Sequence, residues 1–351
     1  MKLLICTQKV DKRDPVLGFF HGWIEEFAKQ CEMVTVISLG IGEYNFPSNV
    51  KVLSLGKGTG GGRFRYIWSF YKYVFFQRKG YDVVFVHMNP VYIILGGVFW
   101  KIWRKKIALW YAHKKGSKLA SLSLFFIDKV FSVSKESFYK SHLKKFFPTG
   151  HGINVTNFQC ENRVLSEKVK VVSINRVTPV KEYEILIDAV NILVNERGIY
   201  NIRVEIIGGA CVKSDEEYLV KLKKMVEAFR LQNFVFFVGE VPNSELLPYL
   251  CSSDIFINMQ KIGGAGKSTL EAMSCGLLTI VCTPVFVPFL EGAENLFCFD
   301  GMADDLAKKI QLCIDLPEGE KIKYRKKMRE IVVKEHNLEN LVKRILEKYT
   351  N

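Results

Sequence analysis

The chain's nine cysteines include no CxxC pair, and their number is odd. Both features argue against a disulfide framework and a zinc site, so the thiols are expected to be reduced, as in a cytosolic compartment. A long apolar run is also missing. Val91–Trp100 is the longest uncharged one, about half of the roughly 20 residues that span a bilayer, so no transmembrane segment is expected. The opening residues Lys2-Leu3-Leu4-Ile5-Cys6-Thr7 are too few for a secretory signal and run straight into polar residues; they read as a first buried strand. There is no internal repeat and no low-complexity tract. What is present fits a soluble globular protein: 351 residues, 48% hydrophobic and 25% charged, enough for two domains with substantial cores.

Charge is unevenly placed. Residues 1–165 hold 25 Lys and Arg against 10 Asp and Glu, and residues 166–351 hold 25 against 26, so the whole net charge of +14 belongs to the first half. That asymmetry implies an acidic surface or ligand on the N-terminal side. Two segments there interleave basic and aromatic residues, Arg63–Trp68 running on to Arg78, and Phe99–Lys106. Such mixtures suit an anionic membrane surface, with rings at the interface and cations on headgroups. They equally suit ordinary amphipathic helices whose rings face a core. No recognition motif accompanies the charge, so nucleic acid is not an expected partner.

Apolar runs of strand length alternate with helix-length segments along the whole chain. Lys2–Thr7, Met33–Ser38, Val50–Leu55, Val83–His87, Ile107–Ala112 and Lys129–Val133 fill the first half. Val169–Ile174, Arg203–Ile207, Phe234–Val238, Ile255–Asn258 and Thr279–Cys282 fill the second. Candidate helices between them include Trp23–Gln30, Tyr183–Asn195, Asp215–Phe229 and Leu270–Cys275. Two successive βαβ series predict two doubly wound parallel sheets, with ligands beyond the carboxyl ends of the strands. The polar stretch near residues 152–166 marks the boundary between them.

The segment Gly263-Gly264-Ala265-Gly266-Lys267-Ser268-Thr269-Leu270-Glu271 lies between an apolar strand and a helix, and Cys275-Gly276 ends that helix. Loop amides and the positive end of a helix dipole bind phosphate readily. A nucleotide-triphosphate P-loop would need a glycine where this chain has Lys261. Ser268-Thr269-Leu270-Glu271 also fits a purely structural capping box with Gly276 as the C-terminal cap. After the first strand of the second half, Arg176 leaves the strand end and Lys181 opens a helix. A cation at a helix start opposes the dipole unless an anion neutralises it, and a diphosphate would do so.

Glu271-Ala272-Met273-Ser274-Cys275-Gly276 resembles the EAMACG segment of glycosyltransferase family 4, whose members are retaining, use nucleotide-sugars and have the GT-B fold, two Rossmann-like α/β domains facing across a cleft. Arg176 and Lys181 resemble that family's arginine–lysine pair, and Gly208 and Val241 fall at two further landmarks, a strand end and the loop bordering the base. The resemblance implies that Glu271 accepts from the ribose hydroxyls, as a carboxylate can from two adjacent donors. It places the diphosphate on Arg176, Lys181 and the loop from Gly263 to Thr269. It puts Gly18 in a loop near the donor, and His113 at the transferred sugar. Where the family usually has a second glutamate, this chain has Gly263, and Lys267 adds a cation the family seldom carries there.

The resemblance further implies an acceptor domain over residues 1–158, a donor domain over 159–330, and a final helix within about 331–351 packing back on the first. The expected function is metal-independent transfer of a sugar to a lipid-linked or other saccharide acceptor, without a cofactor. It would take place in the cytoplasm or at the cytoplasmic membrane face, in the assembly of surface glycans. No Asp-x-Asp motif occurs, in keeping with a metal-free site. An NTP-using P-loop-like enzyme and a non-catalytic nucleotide- or glycan-binding protein are the alternatives.

Overall fold

The computed structural model describes the chain except residues 61, 162, 164–165, 262–265, 291 and 351 and the side chains of residues 288 and 289. It divides into two compact units. One comprises residues 1–152, 242–244 and the C-terminal helix Leu338–Thr350; the other comprises residues 153–241 and 245–337.

The N-terminal unit holds seven parallel strands, β1 (Lys2–Val10), β2 (Met33–Ile41), β3 (Val50–Ser54), β4 (Val83–His87), β5 (Lys106–Trp110), β6 (Lys129–Ser132) and β7 (Phe146–Pro148), in the spatial order 3-2-1-4-5-6-7. The central strands are apolar on both faces, as a sheet covered by helices on either side requires. Along β4, Val83 and Phe85 face one core and Val84 and Val86 the other. The first core is closed by α1 (Phe19–Gln30), through Phe20, Trp23, Ile24 and Phe27, and by the C-terminal helix, through Leu341, Val342 and Ile345. Tyr349 fastens that helix by donating its hydroxyl to the Val84 carbonyl at 2.7 Å. The opposite core is closed by α2 (Arg63–Phe76), α3 (Val91–Ile102) and α4 (Lys118–Ser123). Two glycines interrupt α3 because neighbours occupy their Cβ positions: a methyl on Gly96 would strike the Trp100 ring, and one on Gly97 the Phe126 ring.

The C-terminal unit holds β8 (Val169–Ile174), β9 (Ile202–Ile207), β10 (Val235–Gly239), β11 (Ile255–Asn258) and β12 (Leu278–Val281), all parallel, in the order 10-9-8-11-12. Its helices include α5 (Tyr183–Asn191), α6 (Lys213–Ala228), α7 (Leu247–Cys251) and α8 (Lys267–Ser274). Both units are thus Rossmann-like α/β layers, as the alternation of runs predicts.

Three local expectations need correction. β7, carrying Pro148 at the sheet edge where a missing N–H is tolerated, gave no sufficient apolar signal at three residues. The helix expected to run from Tyr183 to Asn195 leaves α-geometry at Asn191 and ends in a wider turn over Ile192–Glu196, with the Arg197 amide reaching back to the Ile192 carbonyl at 3.0 Å. The thiols are not all reduced: Cys160 and Cys251 form a disulfide across 91 residues of sequence. Spacing along the chain could not reveal that pair, because the fold alone brings the end of α7 beside residue 160. No helix among the described residues is long and apolar enough to cross a membrane.

Candidate functional site

In the C-terminal sheet β8 lies between β9 and β11, so the winding reverses direction between β8 and β11. Loops leaving the carboxyl ends of two such strands diverge and leave a crevice. The predicted site residues Arg176, Lys181, Lys267, Ser268, Thr269 and Glu271 all follow one of these two strands.

The loop after β8 is held by its own backbone. The Asn175 amide donates to the Ile207 carbonyl at 3.1 Å and the Val177 amide to the Gly209 carbonyl at 3.0 Å, while the buried Tyr183 hydroxyl donates to the Asn175 carbonyl at 3.2 Å. Gly208, just after β9, has φ +147°, and a Cβ there would be driven into the Asn175 carbonyl oxygen, so only glycine fits. A short turn, Pro179–Lys181, then brings the chain to Glu182, whose left-handed φ of +49° reverses it into α5. This geometry points Lys181 at the residues beyond β11. Its Nζ donates to Gln260 Oε1 at 2.6 Å. Burial, with help from the nearby Arg176 guanidinium, pushes the Lys181 ammonium down to about 8. Arg176 itself is exposed. Among the described residues no carboxylate pairs with either cation.

On the other side of the crevice, Asn258 closes β11 and braces both flanks: its Oδ1 accepts from the Gln260 amide at 3.1 Å and its Nδ2 donates to Thr269 Oγ1 at 2.9 Å. Lys181, Gln260, Asn258 and Thr269 therefore form one chain of contacts joining the two loops. Gly266 caps α8 without a side-chain bond, and a Cβ there would press at 3.3 Å on both Asn258 Nδ2 and Thr269 Oγ1. One turn in, Lys267 Nζ donates to Glu271 Oε1 at 2.7 Å, with the Glu271 side chain buried. Burial lowers the Lys267 ammonium and the Glu271 carboxylate counteracts it.

The capping box read from Ser268 to Glu271 is not the arrangement formed, because the helix starts at Lys267 and its cap is Gly266. The C-terminal reading fares better. Gly276 has φ +72°, its amide donates to Met273, and the Leu277 amide donates to Ala272, the two bonds of a Schellman cap. Gly263, Gly264 and Ala265 lie outside the described residues. Val241 follows β10 and packs on the core. Among the described residues, one group of three metal-ligating side chains lies within mutual reach, the sulfurs of Cys160, Cys251 and Cys275, and two of these are bonded to each other.

The N-terminal unit has its own winding reversal, between β1 and β4. Gly18 sits in the loop after β1, with its amide donating to the Asp14 carbonyl at 2.8 Å, and any Cβ would meet that same oxygen. Asp14 shapes the loop by accepting from the Val16 and Leu17 amides. His113 is exposed beyond β5, its ring 5.2 Å from that of Tyr111. Sequence reasoning missed His87, the last residue of β4. It is fully buried, stacked on Phe20 at 4.0 Å, and its Nε2 has no partner. Burial holds its imidazolium down at about 3, so the ring is neutral. A polar residue closing an otherwise apolar strand was the available signal for His87, and for Asn258 too.

The C-terminal crevice thus brings together two cations with no carboxylate partner among the described residues, a helix N-terminus and the buried Glu271 carboxylate paired with Lys267, features that favour an anion. Residues 156–335, just over half of the chain, match the family described as glycosyl transferases group 1. A phosphatidylinositol N-acetylglucosaminyltransferase subunit of Arabidopsis thaliana is 26% identical over 57% of this chain and 44% of its own length. The poly(glycerol-phosphate) alpha-glucosyltransferase of Bacillus subtilis is 29% identical over 49% of this chain and 24% of its own. The chain therefore spans less than half the length of these relatives. Among solved structures, the Anabaena protein HepE in complex with UDP and glucose superposes with a TM-score of 0.77 at 16% identity, over all of both chains. The sucrose-phosphate synthase of Thermosynechococcus elongatus does so at 0.75 and 17%, over all of this chain and 98% of the other. These likenesses give the fold, and the matched residues give the family: the chain belongs to the glycosyl transferases of group 1.

Proposed function

We propose that this chain is a retaining glycosyltransferase of family 4 that moves a sugar from a nucleotide-sugar, without a metal ion, to a saccharide or lipid-linked acceptor at the cytoplasmic membrane face. The observation that carries this reading is the pair Arg176 and Lys181, two cations at one strand end with no carboxylate partner among the described residues. A diphosphate supplies the missing negative charge. Arg176, Lys181 and the α8 amides then do what a divalent cation does elsewhere, stabilising charge as the nucleoside diphosphate leaves. Glu271 is assigned to the ribose hydroxyls, held in place by Lys267. Gly208 and Val241 are assigned to the donor's passage over the strand ends, and Gly18, His113 and the loop from Gly263 to Ala265 to the donor's sugar and phosphate.

In this reading the acceptor hydroxyl attacks the anomeric carbon on the face the diphosphate leaves. The carbon–oxygen bond to phosphate breaks through an oxocarbenium-like state, and the leaving phosphate takes the acceptor's proton. No protein nucleophile is required. UDP is the favoured carrier because the fold neighbour HepE was solved with UDP and glucose.

A thermal-shift series with UDP, GDP, ADP and ATP, with and without Mg²⁺, tests the proposal on wild type, Lys181→Ala and Glu271→Gln. Metal-independent stabilisation by one nucleoside diphosphate, about 2.7 kcal/mol at a hundredfold excess over its Kd and diminished in both variants, is the expected result. Stabilisation by ATP with Mg²⁺ alone would establish an NTP-using enzyme instead. Diphosphate binding without turnover over a panel of donors and acceptors would leave a binding protein.

A further inference from the structure

The outward surface of α2, α3 and α4 has no role in the donor chemistry, yet it is the most unusual surface of the N-terminal unit. All exposed Phe and Trp side chains among the described residues fall there: Phe64, Trp68, Phe75 and Phe76 on α2, and Phe125 just after α4. Phe64 is 91% exposed, Phe125 81% and Trp68 65%. On α2, Phe64, Trp68 and Phe75 recur at helical spacing on one side, while Phe70 and Val74 face the core on the other. The stripe continues onto α3, because the Phe75 ring lies 4.8 Å from that of Phe99 and 5.1 Å from that of Trp103.

Charge on the same stretch has one sign. From Tyr44 to Ile127 there are 14 Lys and Arg and a single acid, Asp82. That acid is engaged at the start of the central strands β1 and β4, accepting from the Lys2 amide at 2.8 Å. Lys72 lies 5.4 Å over the Trp68 ring, so cation and ring project together. Soluble surfaces rarely expose this much contiguous aromatic area without a partner.

We infer that the α2–α3–α4 face docks on an anionic lipid bilayer, with the Phe64, Trp68, Phe76 and Phe125 side chains entering the interface and the flanking Arg63, Lys72 and their basic neighbours on the headgroups. Three observations select this occupant. The charge complements an acidic surface and opposes a second copy of the same face. The exposed set includes aliphatic Ile102, 68% exposed, and Leu119 and Leu122; these bury in acyl chains but cannot stack on bases as a nucleic-acid platform requires. Rings beside cations match a bilayer's ordering of apolar depth below charged headgroups. The inference rests on the membrane-side acceptor of the proposed function, but it needs none of the donor residues.

Co-sedimentation of the full chain with phosphatidylcholine vesicles, with and without about one third phosphatidylserine, is the test. The wild type is expected to sediment with the anionic vesicles alone and to be released as salt rises from about 0.1 M towards 1 M, where screening is severe. Emission from Trp68 should shift to the blue on binding. Phe64→Ala/Trp68→Ala and Arg63→Glu/Lys72→Glu should each weaken retention at least about tenfold, since each basic residue near the surface counts for several-fold. Lys326→Glu/Lys334→Glu, an equal charge change on exposed residues of the other unit, should leave it unchanged. Equal losses in that control, undiminished retention in both face variants, no vesicle binding, or equal retention by neutral vesicles would each overturn the inference. So would binding to plain duplex or single-stranded nucleic acid as tight as to vesicles and weakened by the same variants. UDP-induced thermal stabilisation, followed in parallel, should be the same in the face variants as in wild type. Vesicle binding without UDP binding would keep the docking face and remove the donor assignment.

Discussion

The two units share the strand order 3-2-1-4-5, which the N-terminal sheet extends by two strands, and differ in what stands where the winding reverses. In the N-terminal unit the last residue of β4 is His87, neutral and stacked among Phe20, Trp23 and Trp110. In the C-terminal unit the equivalent place beyond β8 and β11 holds Arg176, Lys181 and the Lys267–Glu271 pair. The same parallel layer thus ends one central strand in a buried imidazole packed among rings and sets cations beyond the corresponding strands of the other sheet. Fold alone does not choose between them; the few side chains at the strand ends do.

The strongest way to break this contrast is to remove the charge that defines it. Lys181→Ala should diminish UDP stabilisation and lower kcat/KM by about 10²–10³-fold, the usual cost of one electrostatic donor to the transition state, while His87→Phe should leave UDP binding intact. Titration of UDP affinity sharpens the same point. The Lys181 ammonium loses its proton near pH 8 in the free protein, and a bound diphosphate favours the protonated form. Affinity should therefore be full below that pH and decline as pH rises through about 8, with no such inflection in Lys181→Ala.

Next in size is the buried pair behind the crevice. Lys267→Met leaves the Glu271 carboxylate without that partner, and about 3 kcal/mol of stability should be lost on denaturant unfolding. Lys267→Met/Glu271→Leu should recover most of it, which an additive double-mutant cycle would contradict.

The buried His87 should reveal itself through acid instead. His87 titrates near 6.5 when unfolded and at about 3 when folded, so the unfolded chain gains the proton first as pH falls. His87 should therefore subtract about 1.4 kcal/mol per pH unit between those two values. His87→Phe should flatten that part of the stability profile; an unchanged slope would assign acid sensitivity to other groups. The smallest effect is expected at the α8 cap. Gly276→Ala has ordinary room for its methyl but must adopt φ +72°, at a cost of about 1 kcal/mol in thermal unfolding.

Much of this was legible beforehand where the signal was local. The Val83–His87, Val169–Ile174 and Ile255–Asn258 runs match β4, β8 and β11 at both ends, because strands buried on both faces read as unbroken apolar runs. Glu271 and Lys267 were each visible as candidates, but not their pairing, and the cap that starts their helix is Gly266 rather than Ser268. Gln260 as the partner of Lys181 could not be read, since 79 residues separate them and a glutamine after a strand has no distinctive pattern.

The sequence by itself determined the two βαβ series, the basic excess of the first half, and the residue types at the strand ends, because periodicity and composition depend only on neighbours along the chain. Tertiary structure decided the pairing of Cys160 with Cys251, the burial that neutralises His87 and depresses Lys181, and the meeting of α2 and α3 rings on one outward face. Each of those depends on which distant segments the parallel sheet brings side by side, and on how much water their packing removes.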